Sequence, residues 1–186
     1  MGKIKILGIA GSLRRGSYNR AMLDAAQGLV PEDSQLEIAD IANMPMFNQE
    51  YENDMPQSVK EFKARVKAAD AILIATPEYN YSIPGVLKNA MDWASRPYTD
   101  NSWAGKPVAV MSAATGMIGG ERAQLQLRQS FVYLDMHAVN KPEVIVTFAA
   151  KKFDENGNLI DEGTKELIAQ LLCALVSFTK KLNGTK

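Results

Sequence analysis

AILIAT, residues 71–76, is an unbroken apolar run closed by a threonine. It lacks the apolar–polar alternation of a strand with one wet face, so it predicts a strand covered on both sides, as in the middle of a parallel sheet. It is far too short to cross a bilayer, which takes about 20 apolar residues. Moving outward, strand-like and helix-like stretches alternate in both directions. Upstream, Lys3–Ala10 carries Ile4, Ile6, Leu7 and Ile9 and reads as a buried strand. Asn19–Val30 sets Met22, Ala26, Leu29 and Val30 at helical spacing before Pro31 ends the helix, and Gln35–Ile41 is a short strand. Val59, Phe62, Val66 and Ala69 form the inner stripe of an amphipathic helix. Downstream, Pro84 opens a helix through Trp93, Lys106–Ser112 is a fourth strand, Gly120–Leu134 a fourth helix and Val144–Phe148 a fifth strand. Leu167, Ile168, Leu171, Leu172, Leu175 and Leu182 mark a C-terminal amphipathic helix.

Five strands joined through helices imply a parallel sheet with right-handed crossovers and helices on both faces, a three-layer α/β sandwich. Length and strand count favour the flavodoxin-like order 2-1-3-4-5. No internal repeat, low-complexity tract or linker interrupts residues 1–186, which predicts a single domain. In that order the chain reverses direction between strands 1 and 3, and ligands sit outside the strand C-termini at that point. The loops after strands 1, 3 and 4 are therefore the expected site.

Composition narrows the function classes. An apolar share of 46% and a charged share of 23% fit an ordinary soluble globular chain. The 21 basic residues balance 21 acidic ones, without the basic surplus of a nucleic-acid binder. One cysteine, Cys173, and one histidine, His137, leave no material for an internal disulfide or a zinc site, which suits a reducing cytoplasm and predicts no metal. The apolar stretch at the start lacks a cleavage region, so it reads as a strand rather than a signal peptide. Ile6 stands where a myristoylation signal after Gly2 needs Ser or Thr, and no membrane attachment is expected.

The loop after strand 1, GSLRRGSYN (11–19), enters a helix that Ser17 is placed to cap. The N–H groups and positive dipole end of that helix attract an anion. Ser12, Ser17 and Asn19 add neutral donors, Arg14 adds charge-assisted ones, and Gly11 and Gly16 permit tight turns. The terminal Gly-Lys-Ser/Thr of a Walker loop and the G-x-G-x-x-G fingerprint are both missing. The loop suits a phosphate monoester; a polar surface loop with solvated arginines is the plainer alternative. The loop after strand 3, TPEYNYSIPG (76–85), has Pro77 and Pro84 stiffening its ends. It can offer backbone amides and the aromatic faces of Tyr79 and Tyr81 to a planar ligand. Either tyrosine is also suited to packing under a neighbouring helix or subunit.

GSLRRGSYN (11–19), TPEYNYSIPGVLKNAMDW (76–93) and AGKPVAV (104–110) together closely resemble the NADPH-dependent FMN reductase family, and within it the bacterial quinone and chromate reductases. The likeness continues through IGG (118–120), LRQ (127–129), LDM (134–136) and NKPE (140–143), so it spans Ile6 to about Glu143. The resemblance implies a non-covalent FMN whose phosphate is held by Ser12, Arg14, Ser17 and Asn19, with Tyr18 also among the cofactor-binding residues. It implies that Pro77, Glu78, Tyr79, Asn80 and Tyr81 line the isoalloxazine ring, largely through backbone. Ser112 to Gly119, with Gly116 and Gly119 giving close backbone approach, would close around the ribityl chain and ring edge. It further implies NAD(P)H as co-substrate, quinones and other small acceptors such as chromate, free flavins or azo compounds, and a homodimer or homotetramer.

Flavin chemistry needs no catalytic triad. None is visible: G-x-S-x-G is missing, and His137 follows a helix outside the expected site loops. The expected cycle is ping-pong, with backbone amides near Glu78 and Tyr79 steadying charge on the reduced ring. Arg96, just after the third helix, and Tyr81 are candidates for contact with the pyridine nucleotide or an anionic acceptor; a solvated loop arginine is the plainer reading of Arg96. Helix 120–134 spreads its apolar residues too widely for one buried stripe, which points to a partner subunit, and Arg128 and Glu143 could pair across an interface or within one chain. DENGN (154–158) is expected to be an Asn-Gly hairpin turn rather than a calcium loop. The main rival function is an FMN-carrying electron shuttle with no NAD(P)H activity of its own; zero net charge argues against it, because such shuttles dock through acidic surfaces. A phosphate-responsive receiver would need aspartates where Ala10, Gly11 and Ser12 stand, and the tyrosines of the second loop favour flavin over a nucleotide transferase.

Overall fold

In the computed structural model, which describes residues 2–184, β1 (Ile4–Ala10) lies between β2 (Ser34–Ala39) and β3 (Ala71–Ala75), and β3 lies beside β4 (Pro107–Ala113), all parallel. Every residue of β3 and β4 is buried, as an apolar run without alternation requires. The observed order is the expected 2-1-3-4-5.

The fifth position differs from expectation. It is filled by two short segments: β5 (His137–Ala138) pairs with Pro107–Val108, and β6 (Val144–Val146) pairs with Met111–Ala113. Pro142 stands between them and has no N–H to give a ladder, so one continuous strand is excluded. At the far end, Phe148 takes a positive φ of 49°, which ends the strand before the expected boundary. His137, expected after a helix, lies on this edge.

The period-two alternation of the strands divides the core. Ile6, Ala10, Ala71, Leu73, Ala75, Ala109 and Met111 face α1 (Tyr18–Gln27) and α5 (Glu162–Gly184), packing on Met22, Leu23, Leu171, Leu172 and Leu175. Leu7, Ile9, Ile72, Ile74, Val108 and Val110 face the other way. They meet Phe62 and Val66 of α2 (Gln57–Ala68), Leu87 and Met91 of α3 (Gly85–Ala94), and Leu127 and Phe131 of α4 (Glu121–Leu134). None of these helices is long and apolar enough to cross a membrane.

Two polar devices hold the ends. Buried Lys63 donates to the carbonyls of Ala94 (3.3 Å), Asp100 (2.9 Å) and Arg96, tying down the chain that leaves α3. Burial pulls its ammonium below the usual lysine range, although Asp100 acts in the opposite direction. Asp161 caps α5: its carboxylate accepts from the Thr164 N–H (2.9 Å) and from Lys152 (3.2 Å). The Thr164 and Lys152 bonds hold its carboxyl below the usual aspartate value of 3.8. The cap therefore contributes fully above about pH 4 and is lost as pH falls through the lower folded-state value. Asp161→Ala is expected to cost about 1 kcal/mol at neutral pH. In urea titrations the gap between variant and wild type should narrow below pH 4; a gap independent of pH would contradict the assignment.

Candidate active site at the strand C-termini

Strands β1 and β3 end level, with Ala10 beside Ala75; β4, where Met111 lies beside Ala75, runs two residues further, so the loops that follow all three leave the same edge of the sheet. The first, residues 11–17, is drawn in by bonds from Gly11 N–H to Ala75 O (2.8 Å) and Ser17 N–H to Arg14 O (3.1 Å). Ser17 caps α1 as expected, its hydroxyl accepting from Arg20 N–H at 3.3 Å. The amide N–H groups of Leu13, Gly16, Tyr18 and Asn19 have no partner among the described residues. The same is true of the exposed guanidinium groups of Arg14 and Arg15; Arg14 lies 5.7 Å from the centre of the Tyr18 ring. Orphan donors at a helix N-terminus beside unpaired cations are what a phosphate dianion needs.

The second loop folds back on itself. Tyr79 and Ser82 exchange backbone bonds of 2.9 and 3.0 Å around a two-residue turn, Asn80–Tyr81, with φ of 50° and 67°. Positive φ suits asparagine; for tyrosine it is a strained conformation that needs outside support. That support comes from α4. The Glu78 carboxylate accepts from the backbone N–H (3.1 Å) and guanidinium (3.0 Å) of Arg122. Arg122 in turn lies over the Tyr81 ring at 4.0 Å, and Gln126 donates to Tyr81 O at 2.9 Å. The bond to Glu78 holds the Arg122 guanidinium above its ordinary pKa, so it stays charged at any physiological pH. The loop is thus stapled to the first turns of α4. Tyr79 N–H is engaged by Ser82, so it cannot be one of the amides expected to face the ring; Glu78 and Asn80 keep theirs.

The third loop closes the rim through two glycines. Gly119 has φ +67°, and a Cβ there would lie 2.5 Å from a methyl of Ile145. At Gly120, with φ +94°, a Cβ would lie 2.8 Å from the Cβ of Ser112. This tight descent lets α4 start beside the second loop. Gly116 has no such constraint: nothing lies within 4 Å of a Cβ there.

The structure brings most of the expected residues to one rim and sorts them by role. Ser12 is nearly buried, and its hydroxyl lies 3.2 Å from the Tyr79 hydroxyl, bridging the first and second loops. Arg14, Pro77, Asn80 and Tyr81 belong to the same two loops, and Tyr18 opens α1. Asn19 and Ser112 lie behind the rim. The Asn19 amide both donates to and accepts from the backbone of Ala113 (2.9 Å each), and the fully buried Ser112 hydroxyl accepts from Gln124 at 2.8 Å. Their side chains position the first and third loops instead of facing a ligand. Arg96 is elsewhere: it follows the C-terminal end of α3, a helix of 10 residues and therefore about 15 Å long, which runs away from the rim. There it packs between Tyr98 and Phe47, 3.9 Å from Glu52. Within one chain it does not reach the site.

Other contacts were hidden in the sequence. Arg122 and Gln126 look like solvated helix residues until the second loop is placed against them. Leu13, Tyr79, Tyr81, Met117 and Phe148 leave large apolar surfaces exposed on these loops, the kind of lining a planar ring requires. Phe148 joins them because its N–H bonds Gly116 O at 3.1 Å. Arg128 bonds Asn140 and Val139 O, while Glu143 lies 3.3 Å from Lys141, so the two do not pair within the chain. The segment 154–158 is a turn as expected, with the Asp154 carboxylate accepting from Asn156 and Asn158 N–H.

The chain is similar to known proteins in sequence and in fold. The sequence pattern of NADPH-dependent FMN reductases matches residues 4–151. The chain is 50% identical over 182 residues to an NAD(P)H-dependent FMN reductase of Pseudomonas aeruginosa, covering 97% of this chain and 98% of that one. It is 42% identical over 165 residues to a 2-hydroxy-1,4-benzoquinone reductase of a Burkholderia species, covering 89% and 90%. Among solved structures, FerB, a flavoenzyme NAD(P)H:(acceptor) oxidoreductase of Paracoccus denitrificans, superposes with a TM-score of 0.88 at 34% identity, covering 96% of this chain and 98% of that one. With a phosphate-ready first loop, a stapled aromatic second loop and a family match over most of its length, the chain belongs to the NADPH-dependent FMN reductases.

Proposed function

We propose that the rim binds FMN without a covalent bond and that the protein is an NAD(P)H-dependent reductase of quinones and similar small acceptors. The observation that carries this reading is the cluster of orphan N–H groups and unpaired arginines in the first loop, set against the stapled, tyrosine-bearing second loop. FMN held there would supply the redox chemistry between NAD(P)H and the acceptor. The protein's part is to hold and shape. Arg14, Ser12, Ser17 and the first-turn N–H groups of α1 hold the phosphate. Glu78 and Asn80 present backbone amides to the ring edge. Arg122, pinned by Glu78, keeps a positive charge beside the second loop and would favour negative charge placed there. The exposed faces of Tyr79, Tyr81, Met117 and Phe148 leave room for flat visitors of varied chemistry, which supports loose acceptor choice among quinones, free flavins and azo compounds.

The purified protein is expected to be yellow and to release FMN on heating. A colourless protein that takes up no added FMN would overturn the proposal. Bleaching of the bound flavin by NAD(P)H alone, with no partner protein, separates a reductase from an electron shuttle. Double-reciprocal plots should give parallel lines; intersecting lines would remove the two-stage cycle. Arg96→Ala is expected to leave NAD(P)H and acceptor kinetics unchanged, because the side chain lies at the wrong end of α3.

A second copy of the chain is expected on the outer face of α4, where Leu125, Val132 and Tyr133 are 56%, 83% and 70% exposed. Sedimentation at micromolar concentration tests this. Its one cysteine, Cys173, is a free thiol, which supports a place in the reducing cytoplasm.

A further inference from the structure

A hollow of about 560 Å³ opens on the far side of the first loop, between the first turns of α1 and the hairpin around Asp154–Gly157. The function proposed above leaves it unused, since FMN ends at its phosphate. Its wall begins with Gly16 and Ser17, so it is continuous with the place where that phosphate would be held. We infer that this hollow receives a nucleotide attached to the flavin phosphate, and therefore that the protein takes FAD as well as FMN; the inference rests on the FMN reading of the rim.

Size, surface and charge each support an adenylate. The volume lies within the ordinary range for small-molecule sites, roughly 300–1,000 Å³. The floor is aromatic: Phe153 is buried, Tyr18 is half-buried, and their ring centres are 5.0 Å apart with the planes tilted by 40°. A purine can lie on such a floor, with edge and face contacts that favour aromatic pairs. The lining also carries charge of both signs. Arg15, next to Gly16 in sequence, has no hydrogen bond or ion pair among the described residues. Asp24, held by Arg20 at 3.0 Å, and Glu155 and Asn156 on the hairpin supply acceptors. A cation for phosphate, with acceptors for ribose hydroxyls and an exocyclic amine, matches the groups an adenylate presents.

The wall is set in advance. The Asp154 carboxylate accepts from Asn158 N–H (2.7 Å), Asn158 Nδ2 (2.9 Å) and Asn156 N–H (3.0 Å), which holds its carboxyl below the usual aspartate range and fixes the hairpin. Gly157, at φ +85°, has nothing within 4 Å of a Cβ and leaves the hollow open on that side. A ligand would therefore meet a formed cleft and order little on entering.

Titration of the apoprotein with FMN and with FAD, read by flavin fluorescence and calorimetry, tests the inference. In the wild type the FAD Kd should lie within about tenfold of the FMN Kd; a larger gap in favour of FMN overturns it. Ala21→Trp and Ala150→Trp, which fill the hollow from opposite walls, should each weaken FAD at least about tenfold and leave FMN within about twofold. Equal effects on the two flavins, or none, overturn it as well. Two separate positions guard against one variant failing to fold, and melting temperatures identify that case. FMN bound with FAD excluded removes the adenylate site alone; neither flavin bound removes the FMN reading with it.

Discussion

Arg14→Glu is expected to release FMN while the protein stays folded. The guanidinium stands exposed beside the first turn of α1, touches the Tyr18 ring at 5.7 Å and has no other partner among the described residues, so the fold does not depend on it. A charge-assisted bond to phosphate contributes on the order of 1.5–3 kcal/mol, and a carboxylate in its place adds repulsion against a dianion. The FMN Kd should rise by about 100-fold or more. The unfolding midpoint of the apoprotein should move little, because a surface substitution away from any network changes stability by about 0.5 kcal/mol or less. Raised salt should narrow the difference between variant and wild type, since the lost term is electrostatic. Unaltered FMN affinity in Arg14→Glu would move the phosphate away from this loop.

Gly120→Ala is expected to give a large loss of stability at the rim. The residue sits at φ +94°, where an L side chain is strained by about 1–2 kcal/mol. The added carbon would also lie 2.8 Å from the Cβ of Ser112. Ser112 belongs to β4, which is buried along its whole length and cannot withdraw; overpacking of that kind costs a further 1–3 kcal/mol or so. The sum is about 3 kcal/mol, readable in a urea titration. The consequence reaches the site, because Ser112 also receives Gln124, which positions the first turns of α4. If α4 shifts, Arg122 loses its register with Glu78 and the Asn80–Tyr81 turn loses its support. The variant should therefore retain FMN poorly even where it remains folded. A Gly120→Ala protein as stable as wild type would show that the third loop is looser than described.

The layered fold was legible because strand and helix carry different apolar periods, and AILIAT could satisfy only one of them. The expected strands and helices all appear, with boundaries displaced by a few residues where caps and turns decide them. The split fifth position was not legible. Val144–Val146 looks like a strand on its own, whereas His137–Ala138 is too short to show a period and becomes a strand only because Lys106 O accepts from the His137 N–H and Val108 O from the Val139 N–H. The site divides the same way. GSLRRGSYN displays the kinds of donor that a phosphate would use, so the types of group could be read directly. Which donors remain available could not. Asn19 looks like any other donor until Ala113, 94 residues later, engages both ends of its amide. Arg122 looks like a surface charge until Glu78, 44 residues earlier, is folded against it. Sequence reports the kind of group; only the fold reports its partner.

The broken fifth position also shapes how copies of this protein can meet. Its two stubs, of two and three residues, offer too few consecutive hydrogen-bonding groups to template another strand, and Lys141 and Pro142 occupy the gap with a charge and a missing donor. The margin is blunted against edge-to-edge growth into fibrils. At this margin a second copy would have to pack through side chains and not through backbone, which propagates.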